Sequence, residues 1–373
     1  MHIVWLDAFH GGSHAAVAQG FAKHSHHRVS IVALPIDGGW RWRMRGAAIT
    51  FARMLRERPE LCTADLIVAT DMLDLATFLG LMRDLLAHTP VAVYMHENQL
   101  TYPLPPGRKL DLTFPWINYT SALAADAIFF NSEFHRGAFL QALPGLPGRF
   151  HDYREHAELA TITHKTEVLY PGLELGPFDL ESDAPVRQST GIPTILWNSR
   201  WEYDKAPEAF FAALQQLEQR QIEFRVIVAG EHIDPQEPHF VAAREWLAPR
   251  CLWWGYAPDA AAYRALLQQA DIVISTAVQE FFGIAILEAM AAGCVPVLPR
   301  RLSYPEIIPT ELHALCLYDD QASLVERLIA TIHDLDRIRQ HDIPAIASRF
   351  RWEQQAARYD AAFERVIGNY RHD

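Results

Sequence analysis

Short, unbroken runs of apolar residues recur along the chain at 2–7, 29–34, 66–69, 91–95, 127–130 and 168–170. Stretches with helical spacing, such as 13–23, 74–86 and 132–143, lie between most of them. A strand with one wet face alternates apolar and polar residues, whereas a run that is apolar throughout has both faces covered, as in a parallel sheet. Repeated βα units of this kind predict an α/β, doubly wound domain. The polar stretch 171–193, which contains Pro and Gly, breaks the pattern and reads as a linker. The alternation restarts at 194–197, 224–229, 251–254, 271–275 and 295–298. A chain of 373 residues is also too long for one ordinary core. Two α/β domains are therefore expected, over 1–180 and 181–350, with a tail at 351–373.

Composition narrows the classes of function. Half of the residues are hydrophobic and 21% are charged, which suits a packed globular chain and excludes a disordered one. No apolar run reaches the roughly 18–20 residues that span a bilayer. The chain opens directly into Ile3-Val4-Trp5-Leu6, without the basic region that begins a signal peptide. Cys62, Cys251, Cys294 and Cys316 are widely spaced and read as structural thiols, which makes the reducing cytoplasm the expected location. A net charge of −12 argues against a non-specific nucleic-acid binder. Residues 41–58 are the exception. Arg41, Arg43, Arg45, Arg53, Arg56 and Arg58 crowd there with Glu57 as the only acid.

The strongest motif is Glu280-Phe281-Phe282-Gly283-Ile284-Ala285-Ile286-Leu287-Glu288. It follows the run 271–275 and leads into a helix. Gly283 lets backbone N–H groups approach an anion at the helix start. Two acids at this spacing also occur by chance, one in a loop and one on a helix face. The aromatic pair and glycine between them, with Gly293-Cys294-Val295-Pro296-Val297 beyond, favour a ligand site. Next comes Asn198-Ser199-Arg200-Trp201-Glu202-Tyr203-Asp204-Lys205, just after the first strand of the second domain. Arg200 and Lys205 can converge on a diphosphate, or pair with Glu202 and Asp204 in a solvated turn. His96-Glu97-Asn98-Gln99 ends the run 91–95, at the strand edge where α/β folds bind ligands. Gly11-Gly12-Ser13-His14 opens a helix after the first strand, but it is not GxGxxG and is weak as a phosphate signal. His24-Ser25-His26-His27 reads as a solvated loop, because no second cluster of metal ligands accompanies it.

Glu280 and Glu288, with Arg200 and Lys205 ahead of them, resemble the donor site of retaining glycosyltransferases of the GT-B fold, the family-four type. Tyr170-Pro171-Gly172 resembles that family's domain crossover. Phe350, Trp352, Ala356 and Tyr359 match the spacing of a C-terminal helix returning to the first domain. A narrower resemblance covers nearly the whole chain in order. Leu6-Asp7-Ala8-Phe9-His10-Gly11-Gly12-Ser13-His14, Trp40-Arg41-Trp42-Arg43 and Tyr94-Met95-His96-Glu97-Asn98-Gln99-Leu100-Thr101-Tyr102-Pro103 are similar to the tRNA-queuosine mannosyltransferase family. So are the segments from Arg200 to Lys205 and from Glu280 to Glu288, with Tyr304-Pro305-Glu306-Ile307 after them.

The resemblance implies two facing Rossmann-like domains, with GDP-mannose on the second and its reaction centre in the cleft. Arg200 and Lys205 would neutralise the diphosphate in place of a metal, so no cofactor or metal is expected. Glu288 would hold the ribose, and Glu280, Phe282, Gly283 and Ile284 the sugar, with Tyr256 near the base. His96 would reach the sugar from the first domain, and Gly11 and Gly12 would let its backbone approach the phosphate. The acceptor side would comprise His14, Trp40, Arg41, Trp42, Arg43, Glu97, Asn98, Gln99, Asn131 and Ser132, with tRNA as partner and no stable membrane association. Three rivals stand beside this reading. They are a sugar-nucleotide epimerase, a non-catalytic nucleic-acid binder using residues 41–58, and a glycosyltransferase acting on a lipid-linked glycan or small molecule. The lipid version needs an exposed amphipathic basic helix, for which residues 46–58 are a candidate.

Overall fold

The structure is a computed structural model in which residues 1–37, 39–105, 107–149, 151–178, 191–231 and 238–370 are described. Part of the expected linker, 179–190, lies outside them. The chain forms two compact units, residues 1–173 with 350–373, and residues 174–349.

The first unit holds six strands: β1 (His2–His10), β2 (Arg28–Pro35), β3 (Leu66–Thr70), β4 (Val91–Met95), β5 (Ala127–Phe130) and β6 (Thr166–Val168). All pair in parallel, in the order β2-β1-β3-β4-β5-β6. Alternate residues of β1 enter different cores. Val4, Leu6 and Ala8 pack with Met44, Ala47, Ala48, Phe51, Ala52 and Leu55 of the helix Trp40–Arg56. Ile3 and Trp5 pack on the other face with Phe21 and with Tyr359 and Phe363 of the C-terminal helix Trp352–Tyr370. That helix is fixed by Trp352, which leaves no room for a side chain at Gly20 or Gly172. A Cβ there would fall 1.9 and 2.2 Å from its ring. Deeper along the helix, the Tyr359 hydroxyl donates to the Tyr94 hydroxyl at 2.8 Å.

The second unit has β7 (Thr194–Asn198), β8 (Arg225–Ala229), β9 (Cys251–Gly255), β10 (Ile272–Ile274), β11 (Val295–Pro299) and β12 (Leu317–Tyr318). Their order is β12-β11-β10-β7-β8-β9, again parallel. Strand order reverses between β1 and β3 in the first sheet and between β7 and β10 in the second. Such reversals leave a crevice beyond the carboxyl ends of the strands.

Two expectations change here. The basic segment beginning at Trp40 is helical from its first residue, and its apolar face is spent on the core. The exposed amphipathic helix that a lipid acceptor would need is therefore not offered by 46–58. Nor is the segment freely basic. Arg45 pairs with Asp111 at 2.7 Å, Arg53 with Glu57 at 2.7 Å and Arg56 with Asp84 at 2.7 Å. Asp84 and Asp111 are distant in sequence, so counting charges along 41–58 missed them.

Candidate active site

In the second unit, the loops after β7 and β10 are tied to each other at the switch point. Lys205 is buried, and its Nζ donates to the Gln279 carbonyl at 2.8 Å. The same Nζ lies 3.1 Å from Asp204 Oδ2 and 3.4 Å from Glu280 Oε2. Burial disfavours the ammonium, but Glu280 and Asp204 more than offset it and hold the Lys205 pKa above its usual value. The Thr276 hydroxyl donates to the Lys205 carbonyl at 2.7 Å, so both backbone and side chain of the lysine are positioned. Arg200, half exposed, lies 3.2 Å from Glu202. Both pairings read from the sequence are present together: each cation has an acid neighbour, and Lys205 also points at the Glu280 loop.

Gly283 caps the helix Ile284–Ala291 with φ +100°, a conformation that L side chains rarely adopt. Phe281 and Phe282, just before it, are both buried. One turn into the helix, Glu288 accepts a hydrogen bond from the Tyr263 hydroxyl at 3.0 Å. The Asn198 side-chain amide donates to that hydroxyl at 3.2 Å and to the Ala285 carbonyl at 2.9 Å. Burial pushes the Glu288 carboxyl up to about 7, against the opposing effect of the Tyr263 bond. Tyr256, by contrast, is well exposed after Gly255. Tyr263 carried no sequence signal, since it meets Glu288 only through the packing of its helix.

A diol that donates to Glu288 favours the carboxylate, so binding releases a proton around its pKa. Affinity for a sugar nucleotide is expected to rise between about pH 6 and 8, and to lose that dependence in Glu288→Gln. Calorimetric titrations across the range, with a diester donor that does not itself titrate there, check this. Folding has the opposite sign. With a folded pKa near 7 against the usual 4.5, the group's contribution to stability is full below 4.5 and lost as pH rises through 7.

In the first unit, polar side chains gather beyond β1, β3 and β4. His14 and His96 stack with ring centroids 3.9 Å apart. Asp7, fully buried, binds His10 Nδ1 at 2.7 Å and lies 3.6 Å from His14 Nδ1. Burial favours the neutral acid, yet His14 above all, with His96 and His10, brings the Asp7 carboxyl down to about 2. Burial likewise opposes charge on His14, but Asp7, Asp71 and Glu97 hold its pKa above the usual value. His96 goes the other way. Burial, then His14, lowers its pKa well below the ordinary range, so this imidazole is neutral. Its Nε2 is buried and makes no hydrogen bond among the described residues.

The other members of this set hold His96 in place. The His96 backbone N–H donates to Asp71 Oδ1 at 2.8 Å, and Asn131 Nδ2 donates to its carbonyl at 2.8 Å. Burial raises the Asp71 carboxyl to about 7. Asn98 Oδ1 accepts from Leu100 N and Thr101 N, shaping the turn, while Gln99 Nε2 donates to Glu97 at 2.8 Å. Ser132 caps the helix Glu133–Ala142 through His135 N. Gly11 and Gly12 open the helix Gly12–His24 above β1. Asp7 entered the sequence reading only as part of the segment Leu6–His14, without a role, and Asp71 not at all, although carboxylates at the ends of apolar runs are a usable signal.

At the start of the helix Trp40–Arg56, Trp40 packs on Phe114 with centroids 4.9 Å apart and Arg41 lies 4.5 Å over the Trp40 ring. Trp42 is 64% exposed, so it does not serve the core. Arg43 is spent on the chain itself, donating to the Pro35 and Asp37 carbonyls at 2.8 and 2.6 Å.

The fold is similar to that of Anabaena Alr3699/HepE in complex with UDP, with TM-score 0.68 and 18% identity over 99% of this chain and 100% of that one. It is also similar to the catalytic domain of Starch Synthase IV from Arabidopsis thaliana bound to ADP and acarbose, with TM-score 0.75 and 12% identity over 99% of both. At such identities it is the fold that is shared. Residues 192–334 match the family described as Glycosyl transferases group 1. Two doubly wound parallel sheets and this match define a glycosyltransferase of the GT-B class.

Residues 2–173 match the family described as tRNA-queuosine alpha-mannosyltransferase N-terminal. The chain is 33% identical over 334 residues to the tRNA-queuosine alpha-mannosyltransferase of Drosophila melanogaster, covering 88% of this chain and 86% of that one. It belongs to the tRNA-queuosine alpha-mannosyltransferase family. A more distant relative, 26% identical over 51% of each chain, is the GDP-mannose:cellobiosyl-diphosphopolyprenol alpha-mannosyltransferase of Xanthomonas oryzae pv. oryzae. Among the described residues no helix is long and apolar enough to cross a membrane.

Proposed function

We propose that this enzyme transfers mannose, with retention, from GDP-mannose to queuosine in the anticodon of tRNA, and does so in the cytoplasm without a metal. The observation that carries the acceptor is the 33% identity to the Drosophila enzyme across both units. For the donor, Lys205 and Arg200 are the cations for the diphosphate, Glu288 accepts from the ribose hydroxyls, and Glu280 with the backbone around Phe282, Gly283 and Ile284 holds the sugar. The mannosyl C1–O bond to phosphate breaks as the acceptor hydroxyl attacks C1 on the same face. The departing phosphate oxygen takes the hydroxyl proton. Positive charge at Lys205 stabilises the negative charge that develops on that oxygen. His96 offers its neutral ring to a sugar hydroxyl, with Asp71, Asn98 and Asn131 as positioning residues. The deciding experiment incubates the protein with GDP-mannose, EDTA and queuosine-containing tRNA, then weighs the nucleosides. A gain of one hexose on queuosine is expected. Dependence on added Mg²⁺ or Mn²⁺ defeats the cationic reading of Arg200 and Lys205, and glycosylation of a lipid or small molecule alone defeats the acceptor.

Exposed Trp42 beside Arg41 can stack on a base and contact phosphate together. Replacing them as Trp42→Ala with Arg41→Glu is expected to raise KM for tRNA by about 10-fold or more and to flatten the salt dependence of binding. GDP-mannose affinity should be unchanged. Steady-state kinetics at several salt concentrations check both.

A further inference from the structure

The histidine-rich loop after the helix Gly12–His24 does not stand alone in space. The C-terminal helix brings Asp360 and Glu364 against it, so the ligand cluster absent from the local sequence is supplied by residues more than 330 positions away. His26 Nδ1 lies 2.7 Å from Asp360 Oδ2, which turns its Nε2 toward Glu364 Oε1 at 3.3 Å. His27 Nε2 lies 3.2 Å from the same Glu364 oxygen. One donor atom from each of His26, His27 and Glu364 falls within a common 4.8 Å.

We propose that His26, His27 and Glu364 form a site for a divalent transition metal of the zinc class, with Asp360 orienting His26. Two nitrogens and a carboxylate oxygen are ligands such ions favour, and adjacent donors around a tetrahedral zinc are about 3.4 Å apart. A histidine that binds metal through one nitrogen usually donates the other N–H to a carboxylate, which is what Asp360 provides. The independent sign of a ligand is His27. Its side chain is only 5% exposed, yet among the described residues Nε2 makes no hydrogen bond despite its closeness to Glu364. His26, Asp360 and Glu364 line a surface hollow of about 300 Å³, which gives an ion a path in and room for a water as fourth ligand.

The site lies where β2 begins, at the opposite strand ends from His14 and His96. It therefore staples the C-terminal helix to the loop at 25–27 and takes no part in glycosyl transfer.

The test uses the full chain, stripped with chelator, dialysed near neutral pH and titrated with Zn²⁺ alone. One equivalent should bind and raise Tm, and Co²⁺ in its place should give the visible bands of a tetrahedral ion. His26 and Glu364 have side chains 65% and 49% exposed, so His26→Gln and Glu364→Gln leave folding intact. Losing an orienting partner costs 10- to 100-fold in affinity, so losing a ligand should cost about 100-fold or more and abolish the rise in Tm. Glycosyl transfer by both variants should equal wild type. No stoichiometric uptake by the wild type, or equal uptake by the variants, overturns the site.

Discussion

Lys205→Met is expected to lower kcat/KM for GDP-mannose by about 100- to 1,000-fold, the usual cost of removing one preorganised charge from a developing anion. The substitution keeps the side-chain stem but deletes the nitrogen that touches the Gln279 carbonyl, Asp204 and Glu280 together. A second effect accompanies the first. Asp204 is fully buried, and breaking a buried ion pair from one side costs about 3–5 kcal/mol. The variant should therefore melt earlier, and rates must be taken where it is folded. Lys205→Arg separates the two effects, since it keeps the charge in a larger, planar group that cannot match the same three acceptors. Stability should recover in part and turnover should not. Normal kcat/KM in folded Lys205→Met would remove the lysine from the reaction.

How far the sequence carried the fold depended on whether a signal was local. β4 and β5 have the bounds of their apolar runs, because parallel strands buried over all or nearly all of their length leave no polar residue to blur the edge. β12 was not seen, as two residues make no run. The helix Trp40–Arg56 was only partly legible. Its buried residues 44, 47, 48, 51, 52 and 55 keep helical spacing, but Trp and Arg alternate through its first turn and mask it. The site divided along the same line. Lys205, Glu280 and Gly283 belong to contiguous motifs at strand ends. Tyr263 under Glu288, Asp71 under His96 and Glu364 beside His27 are brought in by packing between distant segments, and no spacing in the chain encodes that.

His96→Ala is expected to lower kcat by about 100-fold or more with little change in GDP-mannose affinity, because the role proposed for its neutral ring is on the reacting sugar and not on the nucleotide. The alternative is a purely structural histidine, and burial alone does not separate the two. Three observations favour a functional ring. The backbone on both sides is anchored by Asp71 and Asn131, the ring stacks on His14, and Nε2 is left without a partner among the described residues. A structural imidazole buried this deeply would normally spend both nitrogens. His96→Gln, which retains a polar group, should restore stability but little of the rate. The charge pattern supplies a readout that packing would not move. His14 is among the causes that lower the His96 pKa, so His14→Gln should let that pKa rise. Protonation of His96 switches off its acceptor role, hence the acid limb of kcat should begin at higher pH in His14→Gln than in wild type. That comparison is made at saturating donor, where the titration of Glu288 is masked by bound nucleotide. Coincident acid limbs, or an unaltered kcat in His96→Ala, would return His96 to the scaffold.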